Sequence, residues 1–199
     1  MLVYDIEIMR PPVAVPEKPN YQYANGWNDY KGMGIAVLST YSYKTHQYCS
    51  FRNETMRDFI ADEGLQKLLN EHEILIGYNH IHFDNNILSA LEYKLPKINY
   101  DILQQLWVAD GLSPIFDKKI HGGYSLDAVV RVNIPNEKKT MNGADAPYEW
   151  QDGKYDKVTD YCMHDVYLTK SLMDLIFLKG GLISPKKKIL TQMSIPICF

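Results

Sequence analysis

The first eight residues, Met1-Leu-Val-Tyr-Asp-Ile-Glu-Ile8, carry β-branched and aromatic residues at both odd and even positions. That is the pattern of a strand buried on both faces, and such a strand belongs inside a sheet covered by helices on each side. Two acids interrupt it. Asp5 and Glu7 are two residues apart, so their side chains leave the same face of the sheet as close neighbours. Like charges held this close repel and are costly to bury. Either one acid reaches solvent at the strand end, or a bound divalent cation removes the conflict.

The rest of the pattern places this strand in a mixed sheet. Residues 9–31 hold four prolines together with Tyr21, Tyr23, Trp27 and Tyr30, and read as a long insertion with no regular period. Gly34–Tyr41 and Gln47–Phe51 are expected to pair as a hairpin about the turn Ser42–His46. A helix is predicted over 55–70, from Met56, Phe59, Ile60, Leu65, Leu68 and Leu69 at helical spacing, then a short buried strand at Glu73–Tyr78. A second helix runs through Ile87, Leu88 and Leu91, and Ile98–Asp101 is a further strand leading into 102–109. Ser125 caps a helix to Val132, 133–154 is loop-rich, and a long helix occupies about 155–179 with Val158, Cys162, Val166, Thr169, Leu172, Met173 and Ile176 inward. Three antiparallel strands followed by alternating helices and parallel strands give an α/β fold with helices on both faces of a five-stranded sheet. One domain over 1–180 and a C-terminal tail over 181–199 are expected, the length and the 46% hydrophobic content sufficing for one core.

Charge and cysteines narrow the class. A net charge of −3 argues against a tight nonspecific nucleic-acid coat, which draws most of its affinity from Lys and Arg. It leaves room for an enzyme that grips a few nucleotides with divalent metal supplying positive charge. Cys49, Cys162 and Cys198 lack paired spacing and are expected as reduced thiols. With no apolar run near the roughly 18 residues of a membrane helix and no basic leader, a cytoplasmic protein without membrane contact is expected.

Two further acid-bearing stretches matter. Asp84 closes Gly77-Tyr-Asn-His-Ile-His-Phe-Asp84, where a buried strand gives way to a helix, a place where α/β sheets commonly carry ligands. Taken alone it could equally be a helix N-cap. Asn79 and Phe83 add a spacing that capping does not require. Tyr161 and Asp165 are one turn apart on the long helix and project from the same side. They are either a half-buried tyrosine with a solvated acid, or a metal ligand with a phenol bonded to a nucleophilic water.

In these residues the chain resembles the DEDD superfamily of proofreading exonucleases, tyrosine subtype, on a ribonuclease H-like fold. Asp5-Ile-Glu7 is similar to the first motif, Asn79-His-Ile-His-Phe-Asp84 to the second and Tyr161-Cys-Met-His-Asp165 to the third, and Tyr124-Ser-Leu-Asp-Ala128 is similar to the helix start preceding the third. The histidine subtype would place its base at position 160, which is Asp160 here. Ile8 stands where many members have threonine. The resemblance implies a 3′→5′ exonuclease releasing nucleoside monophosphates from single-stranded DNA by two-metal-ion hydrolysis, with two Mg²⁺ or Mn²⁺ ions about 3.5–4 Å apart. It implies that Asp5, Glu7 and Asp165 hold the first ion, that Asp5 bridges to the second, that Asp84 supports the second through water, and that Tyr161 orients the attacking water. Ile6, Ile8, Asn79 and Phe83 are the implied substrate contacts, and a replication or repair partner is a possibility. An exoribonuclease, or a fold that only binds nucleic acid or a polymerase, is the alternative; all four acids being present speaks against the latter.

Other features carry less. His80-x-His82 lacks further zinc ligands at suitable spacing, and His164 points about 100° away from Asp165 on the helix. The aromatics of 9–31 could stack bases or cover the sheet edge. Lys118-Lys119, Lys138-Lys139 and Lys186–Lys188 could touch phosphate, although short lysine runs are usually solvated faces. No Gly-x-x-x-x-Gly-Lys loop and no Gly-x-Gly-x-x-Gly follows a strand, which removes support for triphosphatase and dehydrogenase readings.

Overall fold

In a computed structural model, strand β1 (Leu2–Ile8) lies at the centre of a five-stranded sheet of order β3-β2-β1-β4-β5. The structure describes residues 1–55 and 63–196. Met56, Phe59 and Ile60, which begin the helix expected over 55–70, lie outside them, as does Cys198. β1 pairs antiparallel with β2 (Ile35–Ser42), which pairs antiparallel with β3 (Gln47–Arg52). On its other side β1 runs parallel to β4 (Ile74–Gly77), and β4 parallel to β5 (Ile98–Asp101). This is the expected sheet. The register of β1 against β2 slips between Glu7 and Ile8, where Ala36 is left without a partner. Such a bulge bends a strand and re-aims side chains beside it.

Helices cover both faces. Under one lie α2 (Glu63–Asn70) and α3 (Asp84–Ala90), whose Leu65, Leu69, Ile87 and Leu88 pack with Leu2, Tyr4, Ile6 and Ile8 of β1. Over the other lie α4 (Ile102–Ala109), α6 (Leu126–Asn133) and α8 (Tyr155–Lys179), which bury Leu106, Val129, Leu172 and Ile176 with Val3 and Ile76. Ser125 caps α6 by accepting the Ala128 N–H. α8 ends at Gly180, whose φ of 74° is the left-handed conformation that glycine reaches without a Cβ clash. Two short helices, α1 (Tyr30–Met33) and α5 (Lys118–His121), lie in the connections.

Two stretches differ from expectation. The segment 133–154 is not wholly loop: it holds a 3₁₀ turn, Gly143–Asp145, and α7 (Ala146–Gln151). Pro147 near its start suits a helix's first turn, but six residues are too few to display a period. The stretch from 181, expected as a tail, forms a hairpin of β6 (Gly181–Ile183) and β7 (Leu190–Gln192), with Leu182 and Met193 in the core. Beneath it, Asp110 accepts hydrogen bonds from Tyr124, Ser184 and Thr191. Residues 9–31 pack against α7 beyond the end of β1: Gln151 donates to the Met9 and Gln22 carbonyls. No helix among the described residues is long and apolar enough to cross a membrane.

Candidate active site

Three carboxylates meet over β1. Oxygens of Asp5, Glu7 and Asp165 all lie within 4.8 Å of one another, with Glu7 and Asp165 buried. The alternation of the strand aims Asp5 and Glu7 at one face, and α8 crosses that face with Asp165 one turn beyond Tyr161. Burial first, and the neighbouring carboxylates second, push Asp5 and Glu7 well above the ordinary carboxylate range. Asp165 is also raised by burial, against the pull of Lys139. Asp165 Oδ1 is buried and lacks a hydrogen bond of normal geometry among the described residues.

Asp84 is close by but outside this trio. It is the first residue of α3, not its N-cap, and its Oδ1 accepts the Ile6 N–H at 3.0 Å. Burial pushes it up to about 7 while backbone donors pull it down. It lines one pocket with Asp5, Glu7, Tyr161 and Asp165, and Ile6, Ile8, Asn79 and Phe83 border the same space. All the residues singled out in the sequence therefore surround one cavity.

Tyr161 is 2% exposed, and among the described residues its hydroxyl makes no hydrogen bond of normal geometry, although it lies near enough to Asp165 for each to perturb the other's ionisation. Burial and the charges of Glu7, Asp165 and Asp5 drive its pKa far upward. In the metal-free protein these effects favour the protonated phenol, which can donate or accept a hydrogen bond. A Cβ at Gly143 would come within 3.3 Å of that hydroxyl, so the 3₁₀ turn lies directly over it.

Two functional residues escaped the sequence. Lys139 is not a solvated lysine: its Nζ sits 2.5 Å from Asp165 Oδ2 and 4.9 Å from the centre of the Tyr161 ring. Burial lowers its pKa, but Asp165, Asp5 and Glu7 outweigh that and raise it, so it remains a cation. It is brought in by an irregular segment tied to α6 through its own N–H to Asp127, and no period or motif marks that path; the pair Lys138-Lys139 was its only trace. The second is Asp101, 1% exposed, which accepts N–H groups of Asn79, Ile81, Leu103 and Gln104. It pins the turn carrying Asn79, which adopts a φ of 65°, and so fixes the approach to Asp84. A strand-terminal aspartate before a helix was its visible signal, though capping alone explains that.

The histidines stay structural. His80 is buried edge-on to Tyr4, while His82 is exposed and bonded to Gln104, so the two do not converge. His164 bonds to the Lys138 carbonyl.

The chemistry of the donor set suits a hard divalent cation: oxygen donors only, crowded and partly desolvated, with an orphaned carboxylate oxygen. An antiparallel β1-β2-β3 unit continued by parallel strands, with acids on the central strand, is a ribonuclease H-like nuclease fold. The RNase_H superfamily pattern matches residues 25–177, and the chain belongs to that superfamily. The matched span holds Asp84, Lys139, Tyr161 and Asp165; Asp5 and Glu7 precede it. The fold is also similar to that of the family B DNA polymerase from the hyperthermophilic archaeon Pyrobaculum calidifontis, with a TM-score of 0.59 and 17% identity over 88% of this chain. The chain spans 24% of that polymerase. No curated protein matches it by sequence.

Proposed function

We propose that the protein is a metal-dependent 3′→5′ exonuclease of the tyrosine subtype, acting on single-stranded DNA ends. The observation that carries this reading is the trio Asp5, Glu7 and Asp165 under the Tyr161 hydroxyl. Asp5, Glu7 and Asp165 would hold the first divalent ion, with Asp5 and Asp84 toward a second. Such ions supply charge to stabilise the attacking and leaving oxygens of an in-line phosphodiester displacement. The protein's own groups do the rest. Tyr161 orients the attacking water by a hydrogen bond, and Lys139 steadies Asp165 while adding positive charge beside the scissile phosphate. Asn79, Ile6, Ile8 and Phe83 shape the space for sugar and base.

The test is digestion of 5′-labelled single-stranded DNA, duplex DNA and RNA with Mg²⁺, Mn²⁺ or Ca²⁺. The expected result is a ladder shortening from the 3′ end of single-stranded DNA, abolished by EDTA, with slower cutting of RNA. Immediate release of the labelled 5′ nucleotide, or internal cuts in a closed circle, would overturn the polarity. Faster shortening of RNA would make the enzyme an exoribonuclease.

A further inference from the structure

Two pockets flank the carboxylates and share Asp5, Tyr78, Asn79, Lys139 and Asp165. One, of about 650 Å³, extends toward Trp107, Phe116 and Tyr124. The other, of about 500 Å³, holds Glu7 and Tyr161 and extends toward Pro11, Pro12, Val13 and Trp27 of the 9–31 insertion. Glu7 and Tyr161 border only this second pocket. On the reading proposed above, the water oriented by Tyr161 attacks phosphorus from that side. In-line displacement then sends the leaving 3′ oxygen to the opposite side, so the retained strand runs out through the first pocket. The departing nucleotide keeps the phosphorus, with its 5′ oxygen lying across the line of attack, and with the first pocket taken by the retained strand the space left for it beside the carboxylates is the second.

The outer wall of that second pocket comes from the insertion, which is held in place. Arg10 donates to Gln22, Gln151 Nε2 donates to the Met9 and Gln22 carbonyls, and Asp29 accepts the N–H groups of Asn25 and Gly32. Its aromatic residues divide in two. Tyr21 lies edge-on to Tyr148 and donates to Asp152, Tyr23 donates to the Lys18 carbonyl, and Tyr30 packs on the core. Trp27 alone among them is largely exposed, at 64%, and it lines the pocket.

We propose that the 9–31 insertion is the end wall of the departing nucleotide's subsite, with Trp27 the face on which the 3′-terminal base stacks. A wall at this position stops the strand from continuing past the carboxylates, which restricts attack to chain ends. Every base has a π-face, so stacking on indole holds the terminal nucleotide without selecting its identity.

The experiment compares the parent, Trp27→Ala and Trp27→Phe on oligonucleotides ending in a normal nucleotide or in an abasic residue, with Mg²⁺, together with quenching of a 3′-terminal 2-aminopurine on binding. Stacking of one base on an aromatic side chain corresponds to about 10-fold in affinity. Trp27→Ala is expected to raise KM about 10-fold on the normal end with little change in kcat and to lose the quenching. Trp27→Phe is expected to recover most of both, and abasic ends are expected to be cut alike by all three. An unchanged KM in Trp27→Ala, or an equal loss on abasic ends, would overturn the wall. A parent that does not shorten DNA from the 3′ end would overturn the exonuclease reading and this inference with it, a failure distinct from loss of base dependence.

Discussion

The two faces of β1 have opposite duties, though they alternate along the same seven residues. The even face, Leu2, Tyr4, Ile6 and Ile8, packs with α2 and α3 in a hydrophobic cluster whose polar contact at Tyr4 is satisfied by Asn85. The odd face begins as core at Val3 and returns to it at Met9, but between them carries Asp5 and Glu7 beneath α8. One face lowers the free energy of the fold by burying hydrocarbon. The other gathers carboxylates whose mutual repulsion is relieved by protons or by a bound cation, held in place because its neighbours on both sides are packed. A central strand packed on both faces thus holds the two carboxylates at a fixed separation.

This contrast can be broken from either side. Asp5→Ala and Asp165→Ala should each reduce hydrolysis on the order of 10³-fold or more, since both remove a metal-binding group, while the metal-free melting temperature stays level or rises as repulsion is relieved. Leu2→Ala should do the reverse, costing about 2–5 kcal/mol of stability by opening a fully buried site, with activity per folded molecule largely kept. Steady-state cleavage and calorimetric unfolding on the same preparations check both. An Asp5→Ala protein that is well folded and active would end the comparison.

Tyr161→Phe sharpens it. Removing the hydroxyl leaves the acids in place, so a loss on the order of 10²-fold in kcat with KM nearly unchanged is expected in single-turnover cleavage. A rate equal to the parent's would make the residue a core tyrosine.

A smaller effect is expected from pH. Asp5, Glu7, Asp84 and Asp165 all have raised folded pKa values, so the metal-free folded chain binds protons more tightly than the unfolded chain. Stability should therefore fall as pH rises from the unfolded carboxylate value of about 4 through the folded values, the step for Asp84 lying at about 7. With Mn²⁺ present the slope should reverse, because the ligands must be deprotonated to bind. Melting temperatures between those limits, with and without Mn²⁺, check this; a flat metal-free profile would show that the acids are not strained.

What was legible in the sequence was whatever carries a period or a fixed offset. The mixed sheet of antiparallel then parallel strands follows from the order of the elements, and the span of α8 and the shared side of Asp5 with Glu7, and of Tyr161 with Asp165, follow from spacing along one element. What was hidden depends on irregular chain. Lys139 reaches Asp165 through an irregular segment held by its own N–H on the Asp127 carboxylate and by the Lys138 carbonyl on His164, and α7 is too short to show its helical face. Asp101 could be read as a cap, and it is one, but its second task of holding Asn79 and Ile81 appears only when the parallel strands β4 and β5 are side by side. The hairpin β6-β7 likewise depends on the long-range burial of Leu182 and Met193.

The central claim is that the odd face of β1 is a cation site, and calorimetric titration of the metal-free protein with Mn²⁺ tests it most directly. The account predicts saturable binding with proton release in the parent, retained in Tyr161→Phe and lost in Asp5→Ala. Binding that is absent from the parent, or unchanged in Asp5→Ala, would contradict it.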